Sequence, residues 1–97
     1  MTVTLSRTAT DALAARLRAA KVNPTAQRLA IAAVLFEAPA HFSADQVLAR
    51  LQGQSGVSVS KATVYNTLGL FARKGLVREV VVDPNRIVFD SNTAPHH

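Results

Sequence analysis

Apolar and polar residues follow a helical period along most of the chain and a strand period near its end. Four segments place apolar residues at the i, i+3, i+4 spacing of an amphipathic helix. These segments are 11–21, 25–37, 43–51 and 60–74. From 77 to 82, and again from 87 to 90, β-branched residues replace this pattern, which is typical of strands.

Capping signals mark the boundaries of the predicted helices. Pro24 ends the first helix, because the residue before a proline avoids the α region, and Thr25 can cap the second. Residues 43–46 read Ser-Ala-Asp-Gln, which is the spacing of a capping box. Ser60 can cap the fourth helix, and Gly75 lies where a C-terminal glycine is expected.

The two predicted strands are joined by a turn over 83–86, read as Asp-Pro-Asn-Arg, and so predict a β-hairpin. Arg86 lies near its tip, either as a phosphate contact or as a plain turn charge. A lone hairpin is marginal in water, so we expect its apolar side to pack on the helices. Val57 and Val59 are candidates for another very short strand. The prediction is a mainly α fold with a small β-hairpin, the winged helix-turn-helix.

The helix predicted over 60–74 has two contrasting faces. Val64, Leu68 and Phe71 fall on one apolar face. At about 100° per residue, the opposite face combines small residues with groups that can bond phosphates or base edges. Its members are Ala62, Tyr65, Asn66, Gly69 and Arg73. We interpret this as a DNA-recognition helix; on the helix alone, an ordinary amphipathic helix with solvated charges is an equal alternative.

Charge and composition favour a nucleic-acid partner. The chain has 97 residues, enough for one small domain, with a net charge of +5 and a pI of about 10.8. The absence of cysteine excludes disulfides, thiol nucleophiles and cysteine-ligated zinc within this sequence. There is neither a spanning apolar run nor a signal-peptide pattern, so we expect a soluble, cytoplasmic protein without a membrane partner.

Two other classes of function compete with DNA binding. The sequence lacks a Gly-rich phosphate loop and has few carboxylates, so we expect no enzyme. A winged helix used only for protein–protein contacts stays open as the alternative. A salt titration separates it from a DNA binder, whose affinity falls steeply as counterions are released.

Five stretches of the sequence together resemble the ferric uptake regulator family of metal-dependent bacterial transcription factors. They are PTAQR (24–28), HFSADQVLARL (41–51), VSVSKATVYNTL (57–68), KGLVRE (74–79) and FDSNTAPHH (89–97). Their order and spacing are more specific than any one of them. The last stretch is most similar to the iron response regulator and peroxide-sensing branches, which have aspartate where other members have glutamate.

This resemblance implies the domain organisation. It places a winged-helix DNA-binding domain over 10–90 and the start of a hinge over 91–97. Residues 1–9 carry little pattern, so we expect a loose N-terminus there. The hinge would lead to a dimerisation domain absent from this sequence. The family implies a homodimer on AT-rich inverted repeats of double-stranded DNA, controlling iron, haem or peroxide-stress genes.

The exposed face and the motif positions together give the candidate DNA-binding residues. They are Lys21, Asn23, Arg28, Lys61, Ala62, Thr63, Tyr65, Asn66, Arg73 and Arg86. Tyr65 matches the family tyrosine that contacts thymine methyl groups, and Asn66 stands where many members have arginine. Asn23 stands where a Lys or Arg often enters the minor groove, a contact that Lys21 could share. Arg28 could contact phosphate or could equally brace the fold.

The resemblance also implies an incomplete regulatory metal site formed by His41, Asp90 and His96. Imidazole and carboxylate ligands suit Fe(II), Mn(II) or Zn(II). The remaining ligands would come from the absent domain, and haem takes part in regulation in the iron response branch. Without the resemblance, His41 is a solvated loop residue and Asp90 is the end of a strand.

Overall fold

A computed structural model describes residues 7–37, 41–54 and 58–91. Across these ranges the chain forms helices followed by a small antiparallel sheet. The elements are α1 (Arg7–Ala19), α2 (Ala26–Phe36), β1 (His41–Phe42), α3 (Ala44–Gln54), α4 (Lys61–Arg73), β2 (Arg78–Asp83) and β3 (Arg86–Asp90). The predicted helices, hairpin and winged-helix architecture are confirmed.

The apolar stripes of the helices meet in one core. α2 contacts α1, α3 and α4, and its Ile31 and Leu35 are fully buried. Phe71 of α4 and Leu17 of α1 are among the largest side chains in this core, each with no exposed surface. Burial of one such side chain contributes about 1.5–3 kcal/mol, so the apolar faces are the main source of the fold's stability.

The sheet contains a strand that the sequence pattern missed. Its strand order is β1-β3-β2, so β3 lies between the other two strands. β1 pairs His41 with Asp90 and Phe42 with Phe89. Two residues are too few to show an alternating pattern, although Phe42 is buried where it pairs with Phe89 of the hairpin. The other candidate strand is wrong at Val59, which lies outside every strand, while Val57 lies outside the described residues.

The capping signals have the predicted geometry. Arg28 N–H donates to the Thr25 hydroxyl at 3.2 Å, at the start of α2. The capping box of α3 is complete: Ser43 N–H donates to Gln46 Oε1 at 2.8 Å, and Gln46 N–H donates to Ser43 Oγ at 3.2 Å. At α4, Thr63 N–H donates to Ser60 Oγ at 3.2 Å. These bonds satisfy donors that would otherwise lack a partner in the helix.

Two helices have different bounds from those predicted. α1 starts at Arg7 rather than 11, so residues 7–9 of the expected loose segment are helical; residues 1–6 lie outside the described part. α3 continues to Gln54 rather than ending at 51. In both places the helix extends past its apolar stripe, and the hydrophobic pattern marks only the part that packs.

α1 ends in a Schellman motif that contains a lysine. Val22 N–H donates to the Leu17 carbonyl at 2.8 Å, and Lys21 N–H donates to the Arg18 carbonyl at 2.9 Å. Lys21 has φ 63°, the left-handed conformation that usually selects glycine. Holding a residue with a Cβ there costs roughly 1–2 kcal/mol.

α4 ends in the same motif with the expected glycine. Leu76 N–H donates to the Phe71 carbonyl at 2.9 Å, and Gly75 N–H donates to the Ala72 carbonyl at 3.2 Å. Gly75 has φ 78°, which a glycine adopts without a Cβ penalty. The helix therefore ends as predicted and leads directly into β2.

Candidate nucleic-acid interface and metal site

The two faces of α4 are separated as the sequence predicts. Val64, Leu68 and Phe71 are fully buried. Tyr65 is 47% exposed and Asn66 is also exposed, so neither side chain belongs to the core. α4 contains no acidic residue. The outward face thus presents an aromatic ring and an amide without a nearby carboxylate on the same helix.

Lys61 begins α4 between an acid and an aromatic ring. Its Nζ lies 3.7 Å from Asp45 Oδ1 of α3 and 5.9 Å from the centroid of the Tyr65 ring. Ala62 beside it is exposed. Thr63 is half-buried, and its hydroxyl lies 2.9 Å from Ser60 Oγ, so it takes part in the helix cap. The sequence did not point to Asp45, whose pairing depends on how α3 packs against α4.

The C-terminal end of the outward face carries Arg73. This side chain is exposed, and its guanidinium folds back toward Gly69. A Cβ placed on Gly69 would lie 3.5 Å from Arg73 Nη1, an ordinary van der Waals contact. The small residue thus leaves room for the Arg73 guanidinium close to the helix surface.

The segment between α1 and α2 supplies a second cluster of candidate residues. Lys21 and Asn23 are exposed. Arg28 Nη1 donates to the Asn23 carbonyl at 2.9 Å, so Arg28 braces this segment. Gln27 Nε2 donates to the Ser58 carbonyl at 3.3 Å, which links the start of α2 to the residues before α4. These bonds position the segment relative to the outward face of α4.

The tip of the hairpin is more apolar on its surface than expected. Arg86 is exposed next to the turn, where Asn85 N–H donates to Asp83 Oδ1 at 2.9 Å. Val81, Val82 and Ile87 are 64%, 56% and 42% exposed, respectively. The expectation that the apolar side of the hairpin packs on the helices holds for the base but not for the tip. A register shift between Val81 and Asp83 leaves one unpaired residue there.

Two of the three predicted metal ligands lie side by side. His41 Nδ1 is 3.8 Å from Asp90 Oδ2, and Asp90 is largely buried while His41 is exposed. Arg78 Nη2 lies 3.7 Å from the same carboxylate oxygen, a contact that the sequence did not reveal. His96 lies outside the described residues, and within the described ranges no three potential ligands form a cluster.

Comparison with known proteins identifies the family to which the chain belongs. The model of the ferric uptake regulator family matches residues 19–97. The chain belongs to the ferric uptake regulator family. The resemblance expected from the sequence is confirmed, and so is its likeness to the peroxide-sensing branch.

Two curated relatives show the similarity to the peroxide-sensing branch. The peroxide operon regulator of Bacillus subtilis is 37% identical over 81 residues, and the peroxide-responsive repressor PerR of Staphylococcus epidermidis is 36% identical over 83. These alignments cover 84% and 86% of this chain, respectively, but 55% of each relative. The chain therefore spans about half the length of the curated relatives it matches.

A solved structure of the family has the same fold. The ferric uptake regulator of Pseudomonas aeruginosa, determined with manganese, superposes with a TM-score of 0.71 at 34% identity. The match covers 79% of this chain and 57% of that protein.

Within the described ranges, no helix of the present chain is long and apolar enough to span a bilayer.

Proposed function

We propose that this chain is the DNA-binding half of a metal-responsive transcription regulator that binds AT-rich inverted repeats. The observation that carries the proposal is the outward face of α4, where Tyr65 and Asn66 are exposed opposite a fully buried apolar face. A helix of this kind can enter the major groove, where an amide can bond adenine and an aromatic ring can contact thymine methyl groups.

Basic residues around that face would hold the duplex in register. Lys61 and Arg73 lie near the two ends of α4, Lys21 lies in the turn after α1, and Arg86 lies at the tip of the hairpin. Contacts from such groups to phosphates carry no sequence information but supply much of the affinity. Arg28 positions that segment through its bond to the Asn23 carbonyl, and its other guanidinium N–H groups would be the ones to contact a phosphate.

His41 and Asp90 would hold a divalent metal ion together with His96 and ligands from outside this sequence. The imidazole and carboxylate donors converge across paired strands, and this donor set fits Fe(II), Mn(II) or Zn(II). The bound ion would fasten residues 91–97, the proposed start of a hinge, to the edge of the sheet. His41 and Asp90 would then couple the winged helix to a dimerisation domain and set the spacing of two recognition helices in a homodimer.

A mobility-shift assay tests this function. The probe is an AT-rich inverted repeat, compared with a shuffled duplex of equal composition, over a range of salt concentrations and with or without Mn(II). We expect preferential binding to the repeat, and affinity for both duplexes that falls steeply with salt. A protein-contact module would bind neither duplex, and that result would overturn the proposal.

A further inference from the structure

Three side chains form a row across the sheet, with Asp90 in the middle. β3 is the central strand, and Asp90 is the direct partner of both His41 on β1 and Arg78 on β2. Directly opposite residues of antiparallel neighbours project from the same face of a sheet. One oxygen of Asp90, Oδ2, accordingly lies 3.8 Å from His41 Nδ1 and 3.7 Å from Arg78 Nη2.

A positively charged neighbour stabilises the Asp90 carboxylate when no metal is bound. Its side chain is only 11% exposed, and an ionised group withdrawn from water is costly unless it is paired. Arg78 can provide that charge permanently, because a guanidinium stays protonated throughout the physiological range.

The same contact opposes metal binding. A divalent cation that coordinates Asp90 would lie close to the permanent positive charge of the Arg78 guanidinium, which contacts the same carboxylate oxygen. The Arg78 side chain is 58% exposed, so it can swing into solvent when a cation arrives. We propose that Arg78 competes with the metal for Asp90 and thereby lowers the metal affinity of the His41–Asp90 site. This inference rests on the proposed metal-dependent function.

The competition would set a threshold of metal concentration below which the site stays metal-free. At low metal concentration the Arg78–Asp90 pair stabilises the metal-free sheet, and only a sufficient metal concentration displaces the guanidinium. Arg78 therefore acts on the metal only through Asp90. Its loss should tighten metal binding, whereas loss of a ligand should weaken it.

A Mn(II) titration of the chain tests this assignment. Binding is followed by the paramagnetic broadening of the Phe42 and Phe89 amide signals, which lie on β1 and β3 beside the proposed site. Arg78→Gln should bind Mn(II) about 3- to 10-fold more tightly, as expected for removing one nearby, partly screened charge. Arg78→Lys keeps the charge and should stay close to the wild type. Arg18→Gln removes an equal charge from the exposed surface of α1 and should leave Mn(II) affinity unchanged.

A ligand-loss variant separates this inference from the proposed function. His41→Asn should abolish the saturable broadening. If it does so while Arg78→Gln binds no more tightly than the wild type, the competition is wrong and the metal site stands. If the wild type and His41→Asn behave alike, both the metal site and the role of Arg78 are overturned.

A second measurement uses the wild type alone, so it does not depend on the folding of a variant. Saturation with diamagnetic Zn(II) should move the Arg78 side-chain Nε–H resonance toward that of a solvated arginine and leave the Arg86 resonance in place. An Arg78 resonance that stays unchanged at saturation would contradict the proposed displacement.

Discussion

The outward face of α4 and the His41–Asp90–Arg78 row are encoded in different ways. The face of α4 is contained within Lys61–Arg73, where one helical period separates buried from exposed positions. The row combines residues from three strands, and Asp90 lies far along the chain from His41. A site within one helix can be predicted from its own sequence, whereas a site across a sheet depends on strand pairing.

Removing the aromatic ring of α4 should have the largest effect on DNA binding and should leave the His41–Asp90–Arg78 row unaffected. Tyr65→Ala should lower the affinity for the specific duplex by about 1–3 kcal/mol, because a base contact is lost. The melting temperature should change little, since Tyr65 is 47% exposed. Mn(II) binding at the row should also be unaffected. Fluorescence anisotropy with specific and shuffled duplexes measures the change, and an unaltered preference between them would remove Tyr65 from the interface.

A smaller effect is expected from the phosphate-binding end of the same helix. Arg73→Ala should weaken binding to every duplex and reduce the slope of log affinity against log salt by about 1. Arg73→Lys retains the charge and is the matched control. If the slope is the same for Arg73→Ala as for the wild type, this residue contacts no phosphate.

Replacing Asp45 should raise duplex affinity, in contrast to the two substitutions above. Its carboxylate pairs with Lys61 at the start of α4, in an exposed contact. Asp45→Asn should free that cation and remove a negative charge near the duplex, raising affinity for all sequences about 2- to 5-fold at low salt. In a Lys61→Ala background the gain should shrink. An equal gain in both backgrounds would show that Asp45 acts independently of Lys61.

The smallest expected effect concerns the left-handed lysine after α1. Lys21→Gly should raise the free energy of unfolding by about 0.5–1 kcal/mol, because the Cβ penalty at φ 63° is removed at some entropic cost. Duplex affinity should fall if the side chain contacts the minor groove. Chemical denaturation and anisotropy measure the two effects, and Lys21→Asn is a control that also tolerates this conformation. Stabilisation without any loss of affinity would mean that Lys21 does not contact DNA.

The contrast between these regions also explains what the sequence could predict. The ends of α4 were predictable from its capping residues, Ser60 and Gly75. Its orientation was predictable from the apolar face formed by Val64, Leu68 and Phe71. His41 and Asp90 could be proposed only through the resemblance to a family. The part of Arg78 in the row could not be inferred, because β1 has two residues and its pairing with β3 has no local signature. The bounds of α1 and α3 were also wrong, since both helices continue beyond their packed stripe.

The most direct test of the central claim is a map of amide chemical shifts on adding an AT-rich inverted repeat. We expect the largest perturbations at Tyr65, Asn66 and the first turn of α4, with smaller ones near Lys21 and Arg86. A shuffled duplex should give weaker perturbations over the same surface. Perturbations confined to α1 or to the exposed tip of the hairpin, with Tyr65 and Asn66 unchanged, would contradict the assignment of α4 as the DNA-reading helix.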